Sequence, residues 1–136
     1  MPSPSGDKNI RIGSVTSWCD FLQIEELQKR IWRLTDLEVV PAIEMWIATK
    51  VGNSLIGAFS GDAVIGFVFG TFGRENAHWV IHSHMLGVLP EYRDLRIGYQ
   101  LKLAQRESAL ADGINRITWT FDPLRSRNAH LNFRKL

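Results

Sequence analysis

IHSHMLGVLPEYRDLRIGYQLKLAQRESALADG occupies residues 81–113 of a 136-residue chain. An apolar strand carrying His82 and His84 runs into a turn containing Pro90, Arg93 and Gly98, and that turn opens a helix of about four turns. A helix N-terminus offers unpaired backbone N–H groups and partial positive charge, so a tight loop entering one suits a phosphate or diphosphate. The pattern predicts an anion site over residues 93–98. Strand alternation puts Val80, His82, His84, Leu86 and Val88 on one face and Trp79, Ile81, Ser83, Met85 and Gly87 on the other, so the two histidines share a face. In the helix, Ile97, Leu101, Ala104, Ser108 and Ala111 form a narrow stripe suited to packing on a sheet, and Gly113 ends it. Ile117, Trp119 and Phe121 alternate with Thr118 and Thr120, and Asp122-Pro123 stops the run. Strand, helix, strand at this length predicts a right-handed βαβ unit with parallel strands.

Towards the N-terminus, residues 54–59 and 64–71 are apolar runs joined by Ser60-Gly61-Asp62-Ala63, which predicts a β-hairpin, with 73–78 as a polar loop before the histidine strand. Phe21, Ile24, Leu27, Ile31 and Leu34 recur at helical spacing behind Ser17 and Asp20, and Gln23, Glu26, Lys29, Arg30 and Arg33 fall outside that stripe. Pro41 suits the first turn of a second helix, from residue 42 to about 51, with Gly52-Asn53 at its end. Ile10 and Ile12 mark a short first strand, and residues 1–8 read as a loose leader. A terminal helix is expected from Ser126, with Ala129, Phe133 and Leu136 inward. The fold class is therefore α/β, a mixed sheet in the order β1-α1-α2-β2-β3-β4-α3-β5-α4, as one domain over residues 1–136.

Hydrophobic residues are 45% and charged residues 22%, which excludes disordered, collagenous and coiled-coil classes. Cys19, the only cysteine, excludes an intrachain disulfide and a cysteine-based zinc cluster, and a reducing cytoplasm is expected. No apolar run reaches the roughly 18 residues of a membrane span. The net charge is +2, yet residues 1–92 hold 7 basic and 10 acidic side chains while residues 93–136 hold 9 and 4, so the basic excess begins at the anion loop. Without a dense Lys/Arg tract or a nucleic-acid motif, nucleic acid is not an expected partner. Two alternating histidines supply only part of a metal-ligand set, and His78 and His130 are not placed to complete it, so no metal is expected.

GVLPEYRDLRIGYQL, with Val88, Pro90, Tyr92 and Arg93 before the turn and Ile97-Gly98 at the helix start, resembles the acetyl-coenzyme A loop of the GCN5-related N-acetyltransferase superfamily. The likeness follows the whole chain in element order. It implies an acyl-CoA N-acyltransferase fold, acetyl-CoA as co-substrate, and coenzyme contacts at Leu86, Gly87 and Val88 along the pantetheine arm, at Arg93, Asp94, Leu95, Arg96, Ile97 and Gly98 around the pyrophosphate, and at Asn128. Arg96 stands where the family's loop usually has glycine. That side chain is harmless if the backbone stays helical, crowds the phosphate if it does not, or adds a charge-assisted contact.

His82-Ser83-His84-Met85-Leu86-Gly87-Val88 resembles the H-x-H-x-L-x-V strand of the arylalkylamine N-acetyltransferases. The resemblance implies His82 and His84 as the route that takes the proton from the acceptor amine, a task suited to a group titrating near neutrality. It also implies that the Leu86 N–H polarises the thioester carbonyl. In the family's terminal helix a tyrosine protonates the departing thiolate, and here Phe133, which has no proton to give, holds that position, with Ser126 where an asparagine is usual. The family continues into two further strands, so the fold is expected to lack its last two strands, with two alternatives open: the chain is a truncated product, or a second copy of it covers the open sheet edge. The function expected is acetyl transfer from acetyl-CoA to a primary amine of a small molecule or peptide. The alternative is a non-catalytic acyl-CoA-binding or interaction module.

Overall fold

The computed structural model describes residues 9–119. They run β1 (Ile10–Ser14), α1 (Trp18–Trp32), α2 (Ala42–Lys50), β2 (Ser54–Ser60), β3 (Ala63–Glu75), β4 (His78–Val88), a 3₁₀ turn (Pro90–Leu95), α3 (Ile97–Ala111) and β5 (Ile117–Trp119). The sheet order is β1-β2-β3-β4-β5, antiparallel throughout except for the parallel pair β4–β5, as the βαβ reading expects. The leader, the strand end at Thr120-Phe121, and the terminal helix with Ser126, Asn128, His130 and Phe133 lie outside the described residues. Among the described residues no helix is long and apolar enough to cross a membrane.

The helices flank the sheet on two sides. A methyl group on Gly87 would meet Trp32 and Ile31 of α1, whereas one on Gly70 would meet Gln105 of α3 at 2.7 Å. Gly87 pairs with Phe67, whose face is opposite that of Gly70 on the regular stretch of β3, so α1 and α3 cover opposite faces. Phe21, Ile24, Met45, Phe67, Val68, Ile97 and Leu101 are buried in the continuous core this creates. Polar side chains fix the connections. Gln28, fully buried in α1, accepts from the Val40 N–H at 2.8 Å and donates to the Val40 carbonyl at 2.9 Å, and Glu25 accepts from the first N–H of α2 at 2.7 Å. Gln23 accepts from the Val64 N–H at 2.9 Å, tying α1 to the β2–β3 turn.

Three expectations are corrected. Residues 73–78 are not a loop: β3 continues to Glu75 and pairs with His78 across a two-residue turn, Asn76-Ala77, both at positive φ (47° and 69°). A hairpin turn with both central residues left-handed follows the strand twist, and the absence of glycine hides it in the sequence. Ala77→Gly removes the Cβ clash at φ 69° and is expected to raise stability by about 0.5–1 kcal/mol, read as a higher urea midpoint at constant slope. Leu34 lies beyond α1, which ends at Trp32 with Arg33 left-handed at φ 56°. Of the expected α3 stripe, Ile97, Leu101 and Ala104 do pack on the core, but Ser108 and Ala111 are exposed and the buried face continues instead through Lys102, Gln105 and Ala109. The i, i+4 row 97-101-105-109 governs the packing although one of its members is an amide.

Candidate functional site

Strand β4 and the turn after it carry nearly every residue the sequence singles out. Phe69 pairs with Met85 but Gly70 pairs with Ser83, so His84 is an extra residue in β4, a one-residue bulge. The bulge inverts the alternation beyond it. Leu86 pairs with Val68 and Val88 with Gly66, on the face of α3, whereas the expected alternation put both on the histidines' face. The histidines do stay together on the α1 side. His82 pairs with Thr71, opposite in parity to Gly70, and His84 sets its ring against Phe69 at 6.3 Å and 69°. His82 Nδ1 shares a hydrogen bond of 2.8 Å with the Thr118 hydroxyl of β5, which fixes the ring and leaves Nε2 without a partner among the described residues. His84 is exposed.

The edge of β4 that faces away from β3 runs from these histidines to the turn. The Leu89 N–H donates to the Ile65 carbonyl of β3 at 2.9 Å, so alternation turns the amides of Leu86 and Val88 away from β3, and that of Gly87 towards it. Pairing of β4 with β5 covers Ile81, His82 and Ser83, the residues just before the bulge. Beyond Val88, Pro90 opens the 3₁₀ turn in which Arg93, Asp94 and Leu95 lie, and Arg93 Nε donates back to the Val88 carbonyl at 3.2 Å. Glu91 pairs with Arg30 of α1 at 3.7 Å, joining the turn to the opposite face.

Arg96 is left-handed, φ 58° and ψ 26°, and α3 starts at Ile97. The first of the three alternatives for Arg96, a helical backbone, is thereby excluded. Its guanidinium lies over the Tyr99 ring at 5.0 Å. Among the described residues no side chain caps α3, and its first turn contains no acid, so within them the amides of Ile97, Gly98 and Tyr99 and the positive end of the dipole are uncompensated. This donor set fits a diphosphate. Arg96→Gly relieves the left-handed strain and is expected to raise stability by about 0.5–1 kcal/mol in urea unfolding, while coenzyme A affinity by calorimetry stays within about threefold. A loss beyond about tenfold assigns the guanidinium to the phosphate.

The sequence reading missed the far side of this strand. Ser83 faces α3, and Lys102, 4% exposed, donates to its hydroxyl at 2.7 Å and stands over Trp119 of β5 at 5.2 Å. Burial, which penalises the charged form, lowers the Lys102 pKa to about 8. Thr118, Lys102 and Gln105 have no sequence signal beyond their places in register, since polar residues at helical or strand spacing read as outer surface. Among the described residues no group of three or more His, Cys, Asp and Glu is placed to hold a metal.

The chain matches the family model described as "Acetyltransferase (GNAT) family" over residues 18–134. No curated protein matches it. Among solved structures, the aminoglycoside acetyltransferase meta-AAC0020 from an uncultured soil metagenomic sample, in complex with trehalose, aligns with TM-score 0.81 and 11% identity, over 93% of this chain and 86% of that one. The aminoglycoside N-acetyltransferase AAC(6')-Iy in complex with CoA aligns with TM-score 0.71 and 15% identity, over 91% and 86%. A transcriptional regulator from Bacillus halodurans C-125 aligns with TM-score 0.74 and 20% identity, over 91% and 89%. At these identities the likeness is one of fold.

Proposed function

Given that this chain belongs to the GNAT acetyltransferase family, we propose that it transfers an acetyl group from acetyl-coenzyme A to a primary amine by direct attack of the amine on the thioester. The observation that carries this reading is the edge of β4 beyond Ser83, unpaired among the described residues, on which two outward amides lead from a histidine pair to a helix N-terminus that no described side chain caps. The bound thioester supplies an activated acyl carbon. The amides of residues 97–99 hold the pyrophosphate, with the guanidinium of Arg93 beside them, and the outward amides of Leu86 and Val88 hold the pantetheine arm.

His82 and His84 take the proton from the ammonium form of the acceptor, because only the neutral amine has a lone pair to attack with. The Leu86 N–H stabilises negative charge on the carbonyl oxygen as the nitrogen–carbon bond forms. The carbon–sulfur bond then breaks, the thiolate leaves with its electron pair, and the second proton, shed by the nitrogen as the amide forms, passes through solvent to the thiolate. Thr118 acts through His82, holding one ring nitrogen so that the other faces the amine.

Release of free thiol from acetyl-coenzyme A, screened against small amines, amino acids and peptides, tests the reading. Thiol release that depends on an amine, with a product heavier by one acetyl group, is expected. A protein that binds coenzyme A and releases no thiol with any amine is instead the non-catalytic binding module.

A further inference from the structure

On the α3 side of β4 and β5, away from the histidines, lies a cavity of about 250 Å³ lined by Lys102, Gln105, Arg106, Ile114, Ile117 and Trp119, among others. Two of its walls are electrostatically unfinished. Lys102 is 4% exposed, and among the described residues its ammonium meets a neutral hydroxyl and an indole ring and no anion. Gln105, one turn further along α3, is 0% exposed, and among the described residues neither its Nε2 nor its Oε1 has a hydrogen-bond partner. A buried amide left unpaired costs about 1–3 kcal/mol, and a buried cation without an anion costs more. Sequences tolerate such groups where a ligand completes them.

We propose that this cavity binds a carboxylate, which accepts hydrogen bonds from the Lys102 ammonium and the Gln105 amide while its carbon chain lies against Ile114, Ile117 and Trp119. The elements packed around Lys102 leave this role open: β4 presents the Ser83 hydroxyl, β5 the Trp119 ring, and α3 the Gln105 amide. Among the described residues lining the cavity, Arg106 is the other charged group and no carboxylate is present. Arg106 and Leu110 are both exposed and mark its mouth, and the guanidinium there adds to the attraction for an anion. The carboxylate belongs either to a free small acid or to the far end of a dicarboxylic acyl group carried on coenzyme A. The second source rests on the acyl-transfer reading and the first does not.

The probes are succinate, its neutral analogue succinamide, succinyl-coenzyme A and acetyl-coenzyme A, titrated into the full chain by calorimetry. If the acid is free, succinate binds at millimolar concentration or below, succinamide at least about tenfold more weakly, and Lys102→Met removes the difference. If it is the acyl terminus, succinyl-coenzyme A binds at least about tenfold more tightly than acetyl-coenzyme A, and Lys102→Met equalises them. In either case carboxylate affinity is full between about pH 6, where the ligand is ionised, and about pH 8, and falls above that as the ammonium loses its proton, which needs no variant to observe. Gln105→Leu, which fills the same space without the amide, is expected to weaken binding by about tenfold and keeps the test open should Lys102→Met fail to fold. The proposal is overturned if neither succinate nor succinyl-coenzyme A is preferred over its uncharged counterpart, or if the preference survives Lys102→Met or is flat across pH 8. Failure of every coenzyme to bind, with succinate still bound, removes the acyl-transfer reading and leaves this site standing.

Discussion

His82→Ala is expected to lower kcat/KM for the amine by about a hundredfold or more at neutral pH, with the dissociation constant of coenzyme A unchanged. An alkylamine titrates near pH 10, so about one molecule in a thousand is neutral at pH 7, and a positioned base that removes the proton contributes about 10²–10⁴. His82 is held by Thr118, whereas His84 is exposed and rests against the Phe69 ring, so the expected loss for His84→Ala is smaller, about tenfold. Groups acting in one relay are not additive, and the double variant is expected to match His82→Ala within about threefold. Raising the pH supplies neutral amine from solution, so the deficit of each variant should shrink towards pH 10. Steady-state rates across pH check this. A His82→Ala enzyme as fast as wild type at pH 7 removes the histidines from the mechanism.

Gly98→Asp is expected to weaken coenzyme A binding by about thirty- to a hundredfold without loss of stability. Gly98 is the second residue of α3, where the helix dipole favours a carboxylate by about 0.3–1 kcal/mol and no acid now stands. The same carboxylate opposes a diphosphate. At about 5 Å, two like charges repel by about 1 kcal/mol in water-like surroundings and about 3 kcal/mol at an effective dielectric near 20. Two phosphate charges therefore cost about 2–3 kcal/mol even when well screened. Opposite signs for stability and binding separate an anion site from a merely structural turn. A urea midpoint and a calorimetric titration on one variant read both, and unchanged affinity would place the pyrophosphate elsewhere.

The order and type of the elements are legible in the sequence because apolar period and turn residues agree at most boundaries, the β3–β4 turn at Asn76-Ala77 being the exception. The site is legible in part. Residues 93–98 announce a helix start, and the histidines share a face, but neither the bulge at His84 nor the left-handed Arg96 leaves a compositional mark. An extra residue in a strand changes which face Leu86 and Val88 occupy while every residue keeps its identity. Their outward amides survive the inversion, since backbone direction at the strand end is set by Leu89 and Ile65. Lys102 and Gln105 are illegible for a different reason. A lysine and a glutamine on a helix are read as surface; Gln105 is turned inward by its place in the row of Ile97 and Leu101, and Lys102 lies beside that row against Ser83.

A titration of ¹⁵N-labelled protein with coenzyme A, followed by amide resonances, tests the central claim residue by residue. Perturbations are expected to concentrate at Leu86, Gly87 and Val88 and at residues 93–99, with those of β1 and α2 unmoved. No shift at millimolar coenzyme A, or shifts confined to other elements, would contradict the account.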